Sequence, residues 1–435
     1  MAISPFEERY KTEMNAIFDE EAKLRKWMAV EVALAKAHAR LGAIPRDAPG
    51  KIEIAARNVT LERVQEIEAE IHHDLMAMVR ALTEHAGDAG RYVHLGATSY
   101  DIEDTATALI FTEAIGLLGK RMEALGKVLK KLALDHKETV CIGRTHGQHA
   151  VPTTYGMKFA LYYQELKRDT ARLEEARKRI AVGKMSGAVG TMATFGKDGP
   201  KIQSLVMDEL KIKPAPITNQ VVQRDRHAEA IFSLALIAAL LEKMCKEVRN
   251  LQRSELLEVS ESFSAKQVGS STMPQKRNPH KSERVCSLAR LLRANVQIAM
   301  ENISLEHERD LTNSANERAI FGESFVCVDY MLLETTKILS GLVFYPDNIK
   351  RNLELTKGLI MSERLMITLV ERGMGRQDAH ELVRTLAQEA FSKGRHLKDL
   401  VLEGKVLPKA DAERVFDYSS YIGSAVKIVE DAVKD

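Results

Sequence analysis

The chain has 435 residues, with 63 Lys plus Arg against 61 Asp plus Glu and a formal net charge of +2. That length allows two or three domains with a large core, and near-neutrality argues against a global basic field for nucleic acid. Aromatic residues make up only 5%, and the four cysteines, Cys141, Cys245, Cys286 and Cys327, lie too far apart for metal-type spacing; they read as reduced, partly buried thiols of a cytoplasmic protein. Ala, Leu, Glu, Lys and Arg dominate, which favours helices over sheets.

The stretch Met1 to Trp27 is charged throughout and does not read as a signal peptide. Residues 1–100 read as short helices. Ile44-Pro45 and Ala48-Pro49-Gly50 break them, a helical pattern resumes over Leu61 to Leu82, and Gly87 to Gly96 breaks it again. Thr98-x-x-Asp101 is a capping sequence that opens an apolar helix, Ile102 to Leu118.

Residues 101–345 carry three very long helical stretches: Gly156 to Gly183, Pro216 to Gly269 and Pro279 to Gly322. In the third, Val285, Leu288, Leu292, Val296 and Ala299 recur at three- and four-residue steps as one apolar stripe. A helix of about thirty residues reaches roughly 45–50 Å, more than one compact domain easily covers, so packing against other subunits in a bundle is the expected solution. The longest mostly apolar run, Ala230 to Leu241, is bounded by Glu229 and Glu242, too short to span a bilayer, and reads as a buried core helix. Tyr345-Pro346-Asp347 marks a second boundary, and residues 346–435 form a smaller helical region punctuated by Gly373-Met374-Gly375 and Pro408. The expectation is an all-α chain in three regions, 1–100, 101–345 and 346–435, whose central bundle of very long helices forms an oligomeric core.

Two long stretches flank a loop, Gly269-Ser270-Ser271-Thr272-Met273-Pro274-Gln275-Lys276-Arg277-Asn278-Pro279. Glycine, hydroxyl residues and two prolines suit a lid over a substrate, and the bland alternative is a solvated hinge. Ser270 or Ser271 is a nucleophile or base candidate, Lys276 a cation, Asn278 an amide. A second constellation, Arg144-Thr145-His146-Gly147-Gln148-His149-Ala150-Val151-Pro152-Thr153-Thr154, reads as a loop before a long helix. Its histidines suit a general acid better than a metal, since no cysteine or carboxylate cluster completes a ligand set. His72-His73-Asp74 sits within a helical pattern. His94 to Asp101 ends in the helix cap, where free hydroxyls also bind anions. His307-Glu308-Arg309-Asp310, Ser314 and Glu317-Arg318 alone would be a solvated charged face. Ser186-Gly187-Ala188-Val189-Gly190 follows no expected strand and reads as a backbone turn, not a dinucleotide fingerprint.

The loop Gly269 to Pro279 resembles the signature loop of the fumarase/aspartase superfamily, and Thr145 to Thr154 resembles the Thr-His-Gly-x-His-Ala-x-Pro-Thr-Thr motif of the adenylosuccinate lyase family. The resemblance runs from Arg9-Tyr10 to Arg318 and weakly beyond. It implies β-elimination of fumarate from adenylosuccinate to give AMP, and from succinylaminoimidazole carboxamide ribotide (SAICAR) to give AICAR, in a homotetramer with shared sites and with no cofactor, metal, nucleic acid or membrane. Such a reaction needs a base for a weakly acidic C–H, donors for charge developing on a carboxylate, and an acid for the leaving nitrogen. By resemblance Ser270 is the base and His146 the acid. Glu283 orients His146, while Lys276 and Asn278 hold the succinyl carboxylate with Thr98, Ser99 and His94 nearby. His73 and Asp74 touch substrate, and His149 binds or orients it. Arg309, Ser314 and Arg318 face the AMP moiety and its phosphate, joined by Arg9, Tyr10, Gln220 and Arg284; arginine suits bidentate phosphate contact. Two positions depart from the family pattern: His72 stands where an arginine is usual, and Val151 where an acid or amide is.

Three rivals share the fold. Argininosuccinate lyases act on a substrate without phosphate, which leaves Arg309, Ser314 and Arg318 without purpose. Cycloisomerases of carboxymuconate lack the histidine found here at His146. A non-catalytic lens-type protein on this fold would not need both His146 and Ser270.

Overall fold

The computed structural model describes residues 4–264, 266 and 268–434. Its architecture is all-α, with three two-stranded sheets among the described residues, and it divides into two compact units.

One unit comprises Met1–Met122, Asp169–Ala239 and Ser287–Leu333. Its core is built on the helix Glu20–Arg40, started by Asp19, whose carboxylate accepts the Ala22 N–H at 2.7 Å. Leu24, Trp27, Met28 and Leu34 of that helix pack in one cluster with Ile52 of Ala48–Asn58 and with Leu75, Met78 and Leu82 of Asp74–His85. The helix expected over Leu61 to Leu82 is in fact two. Leu61–Ile71 stops at His72, which is left-handed at φ 55°, and Asp74–His85 starts afresh with His73 as its N-cap, Nδ1 accepting the Met76 N–H at 3.4 Å. Neither glycine nor proline marks this junction, so the apolar period runs across it.

The helix opened by Thr98 also outruns its expected end, continuing from Ser99 to Asp135 over 37 residues. Gly119 and Gly126, beyond that expected end, each cost the helix about 1 kcal/mol relative to alanine. Leu118, Met122, Leu125, Leu129 and Ala133 are nevertheless buried at helical spacing, and that burial carries the helix past them.

The other unit comprises Glu123–Arg168, Leu240–Cys286 and Glu334–Asp435. Ile142, Leu353, Met361, Leu365, Leu369, Leu397 and Val401 are among its core residues. Arg144 to Thr154, expected as a loop, lies in an antiparallel hairpin: Val140–Thr145 pairs with Gln148–Thr154. The β-branched residues Val140, Ile142, Val151, Thr153 and Thr154 suit a pleated, half-buried surface.

The three long stretches form helices with tighter bounds: Tyr155–Ile180, Asp225–Leu251 and His280–Glu301. The run from Pro279 to Gly322 is not one helix, because residues 302–313 leave it before Ser314–Ser340 begins. Polar side chains take over the backbone there. Asp310 accepts the N–H groups of Glu306 at 2.6 Å and Thr312 at 2.7 Å, and the amides of Asn302 and Asn316 pair at 2.6 and 3.0 Å. Among the described residues no helix is long and apolar enough to cross a membrane. All four cysteines are buried and free.

Candidate active site

In the first unit, a cleft of about 500 Å³ opens where three helices begin. Asp74 lies in the first turn of Asp74–His85, Ser99 begins Ser99–Asp135, and Ser314 and Arg318 lie at the start of Ser314–Ser340. Helix N-termini present unpaired N–H groups and suit anions. His72, His73, Gln220 and Arg309 complete the expected residues that line it.

The cleft is wired internally. The Arg309 guanidinium lies 3.6 Å from the Tyr100 ring centroid and donates from Nη1 to Gln220 Oε1 at 2.8 Å. Gln220 Nε2 donates to the Ala188 carbonyl at 3.0 Å. Arg318 donates to Asp74 Oδ2 at 2.5 Å. Burial pushes the Asp74 carboxyl up, but that bond and the Arg318 charge hold it below its ordinary range. Behind the cleft, buried Arg224 bridges Asp104 and Glu317, each at 2.9 Å.

One acid here escaped the sequence reading. Glu103, a turn past Ser99, separates the cleft from a second compartment walled by Phe18, Trp27, Phe111 and Phe321. Burial first, then the Asp74 and Asp104 charges, push its carboxyl up to about 7 against the pull of Arg318 and Arg309. Among the described residues no hydrogen bond or ion pair engages the Glu103 carboxyl. Three acids within Asp101–Asp104, more than a cap requires, were the available signal.

Thr98 donates its N–H to Asp101 Oδ2 at 2.9 Å and accepts the Asp101 N–H at 2.9 Å, which forms the expected cap. Asp101 also pairs with buried Lys184 and accepts the N–H groups of Ser186 at 2.8 Å and Gly187 at 3.1 Å. Ser186 to Gly190 is therefore a backbone turn, although a two-residue strand, Val182–Gly183, does precede it. Arg9, Tyr10 and His94 do not line the cleft. Tyr10 packs on Tyr330 with ring centroids 5.0 Å apart, and Arg9 lies 5.9 Å over Tyr10.

In the second unit, His146 and Gly147 form the two-residue turn of the hairpin, both left-handed at φ 53° and 73°. Such a connection matches the twist of the strands, and the turn is exposed. Arg144, just before it, pairs with buried Glu258, which also accepts from Tyr155 Oη at 2.5 Å and Asn352 Nδ2 at 2.9 Å. Burial pushes Glu258 up, yet Arg144, Tyr155 and Asn352 hold it below its ordinary range. This anchor also went unread, because its members are scattered from residue 144 to 352. Burial, then Arg144, lowers His149 below its ordinary value, and its buried Nδ1 has no partner. A neutral imidazole suits hydrogen bonding rather than proton donation.

The signature loop is pinched at its base. A side chain at Gly269 would meet the Lys276 carbonyl oxygen at 2.0 Å, and Asn278 Nδ2 donates to the Gly269 carbonyl at 2.9 Å. Ser270 Oγ accepts the N–H groups of Met273 at 3.1 Å and Thr272 at 3.4 Å. Ser271 Oγ lies 3.5 Å from the Thr272 hydroxyl. Lys276 is exposed, and Glu283 and Arg284 lie in the first turn of His280–Glu301. Among the described residues, no hydrogen bond or ion pair joins His146, Ser270, Lys276 and Glu283 to one another, and no group of three or more His, Cys, Asp or Glu side chains is arranged to hold a metal ion.

A family model described as "Lyase" matches residues 8–292, and one described as "Adenylosuccinate lyase C-terminus" matches residues 358–432. The adenylosuccinate lyase of Pyrococcus abyssi (strain GE5 / Orsay) is 56% identical over 100% of this chain and 98% of its own. That of Bacillus subtilis (strain 168) is 40% identical over 97% and 98%. The solved structure of 3-carboxy-cis,cis-muconate lactonizing enzyme from Pseudomonas putida superposes with a TM-score of 0.91 at 31% identity, covering 98% of each chain.

Proposed function

The chain belongs to the adenylosuccinate lyase family of the fumarase/aspartase superfamily, and from that premise we propose that it eliminates fumarate from adenylosuccinate to give AMP and from SAICAR to give AICAR. The observation that carries this reading is the wired cleft. It gathers two arginines, a serine at a helix N-terminus and a glutamine, a donor set suited to a ribose phosphate. Both substrates share that phosphate and a succinyl–nitrogen bond, so one site serves both steps of purine nucleotide biosynthesis.

In the chemical step, Ser270 Oγ removes the proton beside the succinyl carboxylate. Serine is a weak acid, so its alkoxide needs donors, and the N–H groups at 3.1 and 3.4 Å are of the right kind. Lys276 and Asn278, with Thr98 and Ser99, take up the negative charge that develops on the carboxylate. His146, oriented by Glu283, protonates the leaving nitrogen. His73 and Asp74 bind at the cleft, where Asp74 also holds Arg318. The elimination calls for no metal or organic cofactor.

The protein acts in the cytoplasm as a homotetramer whose sites are shared. The segments carrying His146 and Ser270 reach one site from different subunits, as the family resemblance implies. The test is to supply adenylosuccinate, SAICAR, argininosuccinate and carboxymuconate in parallel. Fumarate release from the first two alone is expected. A lactone from carboxymuconate would instead favour the cycloisomerase reading, which the likeness to the Pseudomonas putida enzyme keeps in view.

A further inference from the structure

The mechanism leaves unexplained a fully buried carboxylate on the helix Glu20–Arg40. Glu31 sits between Val30 and Val32 in a core helix, with its side chain 0% exposed. Burying a carboxylate costs free energy unless it is paired and hydrogen-bonded. Both Glu31 oxygens are committed to one residue: Oε2 accepts the His94 backbone N–H at 2.9 Å, and Oε1 lies 2.6 Å from His94 Nδ1. His94 is held left-handed at φ 61°, an uncommon conformation for a residue with a side chain. Two turns along the same helix, His38 Nε2 donates to the Leu95 carbonyl at 2.9 Å. Thr194 Oγ1 fastens the Gly96 carbonyl at 2.5 Å. The segment from His94 to Gly96, which leads into Thr98 and Ser99, is thus clamped residue by residue.

We propose that Glu31 is a positioning residue that holds His94 as an imidazolium beside the start of the Ser99–Asp135 helix, where it supplies a further cation for the substrate's succinyl carboxylate. The inference rests on the functional reading above and adds to it a partner for His94. With Nδ1–H committed to Glu31, Nε2–H is the one donor left for a ligand. The ionisable groups around it are few. Glu31 and His38 face the segment from one helix; Asp101 acts from the other, its charge offset by buried Lys184. Burial alone would lower His94, but the Glu31 bond and charge, with Asp101, raise it above its ordinary value. Burial keeps His38 low, so it adds no competing positive charge.

The experiment uses the full-length wild-type protein, Glu31→Gln and Glu31→Asp. The His94 ring resonance, assigned by its loss in His94→Asn, is titrated by NMR; fumarate and AMP binding are measured alongside. In the wild type His94 should titrate above 6.5, in Glu31→Gln below the wild-type value, and in Glu31→Asp between the two. Glu31→Gln should weaken fumarate about tenfold while AMP, which lacks the succinyl group, changes less than about twofold. A wild-type His94 that titrates at or below 6.5 overturns the proposal whether or not Glu31→Gln and Glu31→Asp fold. Equal losses for fumarate and AMP also overturn it, since they would mark Glu31 as a general structural prop. Wild-type protein that released no fumarate from adenylosuccinate would instead break the functional reading, and the titration would still decide the dyad.

Discussion

The two compact units handle their candidate residues in opposite ways. In the first, Arg309, Gln220, Tyr100, Arg318 and Asp74 are already joined by hydrogen bonds, an ion pair and a stacked guanidinium. In the second, His146 stands exposed at a hairpin tip and Lys276 is exposed in a loop, and among the described residues neither side chain is held by a hydrogen bond or an ion pair. A site for holding a phosphate profits from being built in advance, since preorganisation removes the cost of ordering on binding. Residues that move protons must meet substrate in a closed, water-poor setting. The contrast implies that binding and chemistry are separable by mutation, and it accords with the proposal that other subunits complete the chemical half.

Separability is broken or upheld most sharply at the chemical half. Ser270→Ala and His146→Ala should each lower turnover by on the order of 10²–10⁴-fold, with AMP affinity measured by calorimetry little changed. Near-normal turnover in Ser270→Ala would remove Ser270 as the base. At the binding half, Arg318→Met should weaken AMP by roughly 1.5–3 kcal/mol, the worth of a charge-assisted contact, and fumarate much less. Equal losses would show that Arg318 serves the fold through Asp74 rather than the phosphate.

The smallest effect sharpens the picture of the cleft itself. Glu103 is raised from 4.5 to about 7, so the folded protein holds that proton more tightly than the unfolded chain does. The stability it confers is complete below pH 4.5 and is lost as pH rises to about 7. Glu103→Gln should therefore gain stability across that window, levelling off at about 1–2 kcal/mol by pH 8 once solvent access to the cleft is allowed for, and change little at pH 4. Thermal melts at the two pH values measure it; a gain of the same size at both would mean the carboxyl is not held neutral by its surroundings.

The signature loop, the histidine pair and the arginines were legible because each is a compact run of chemically distinctive types. The helical architecture was legible from composition and period. Backbone geometry that no residue type announces was less so. Nothing but positive φ ends a helix at His72. The hairpin around His146-Gly147 looks like a loop until its strands are paired across the turn. The break at 302–313 arises from Asp310 and the two paired asparagines, ordinary helix-surface residues in a sequence window. Long-range carboxylates were the least legible. Glu31 meets His94 across 63 positions and Glu258 meets Arg144 across 114. The only hint of Glu31 was a charge inside an apolar run.

The central claim, that one chain binds while several chains together catalyse, is tested most directly by mixing two dead proteins. His146→Ala and Ser270→Ala are combined in equal amounts under conditions that let subunits exchange, with exchange confirmed by mass. If one site draws its histidine and its serine from different chains at random, about a quarter of the sites are intact and about a quarter of wild-type fumarate release returns. If both residues came from one chain, every site would lack one of them; exchanged mixtures that stay at background would contradict the shared site.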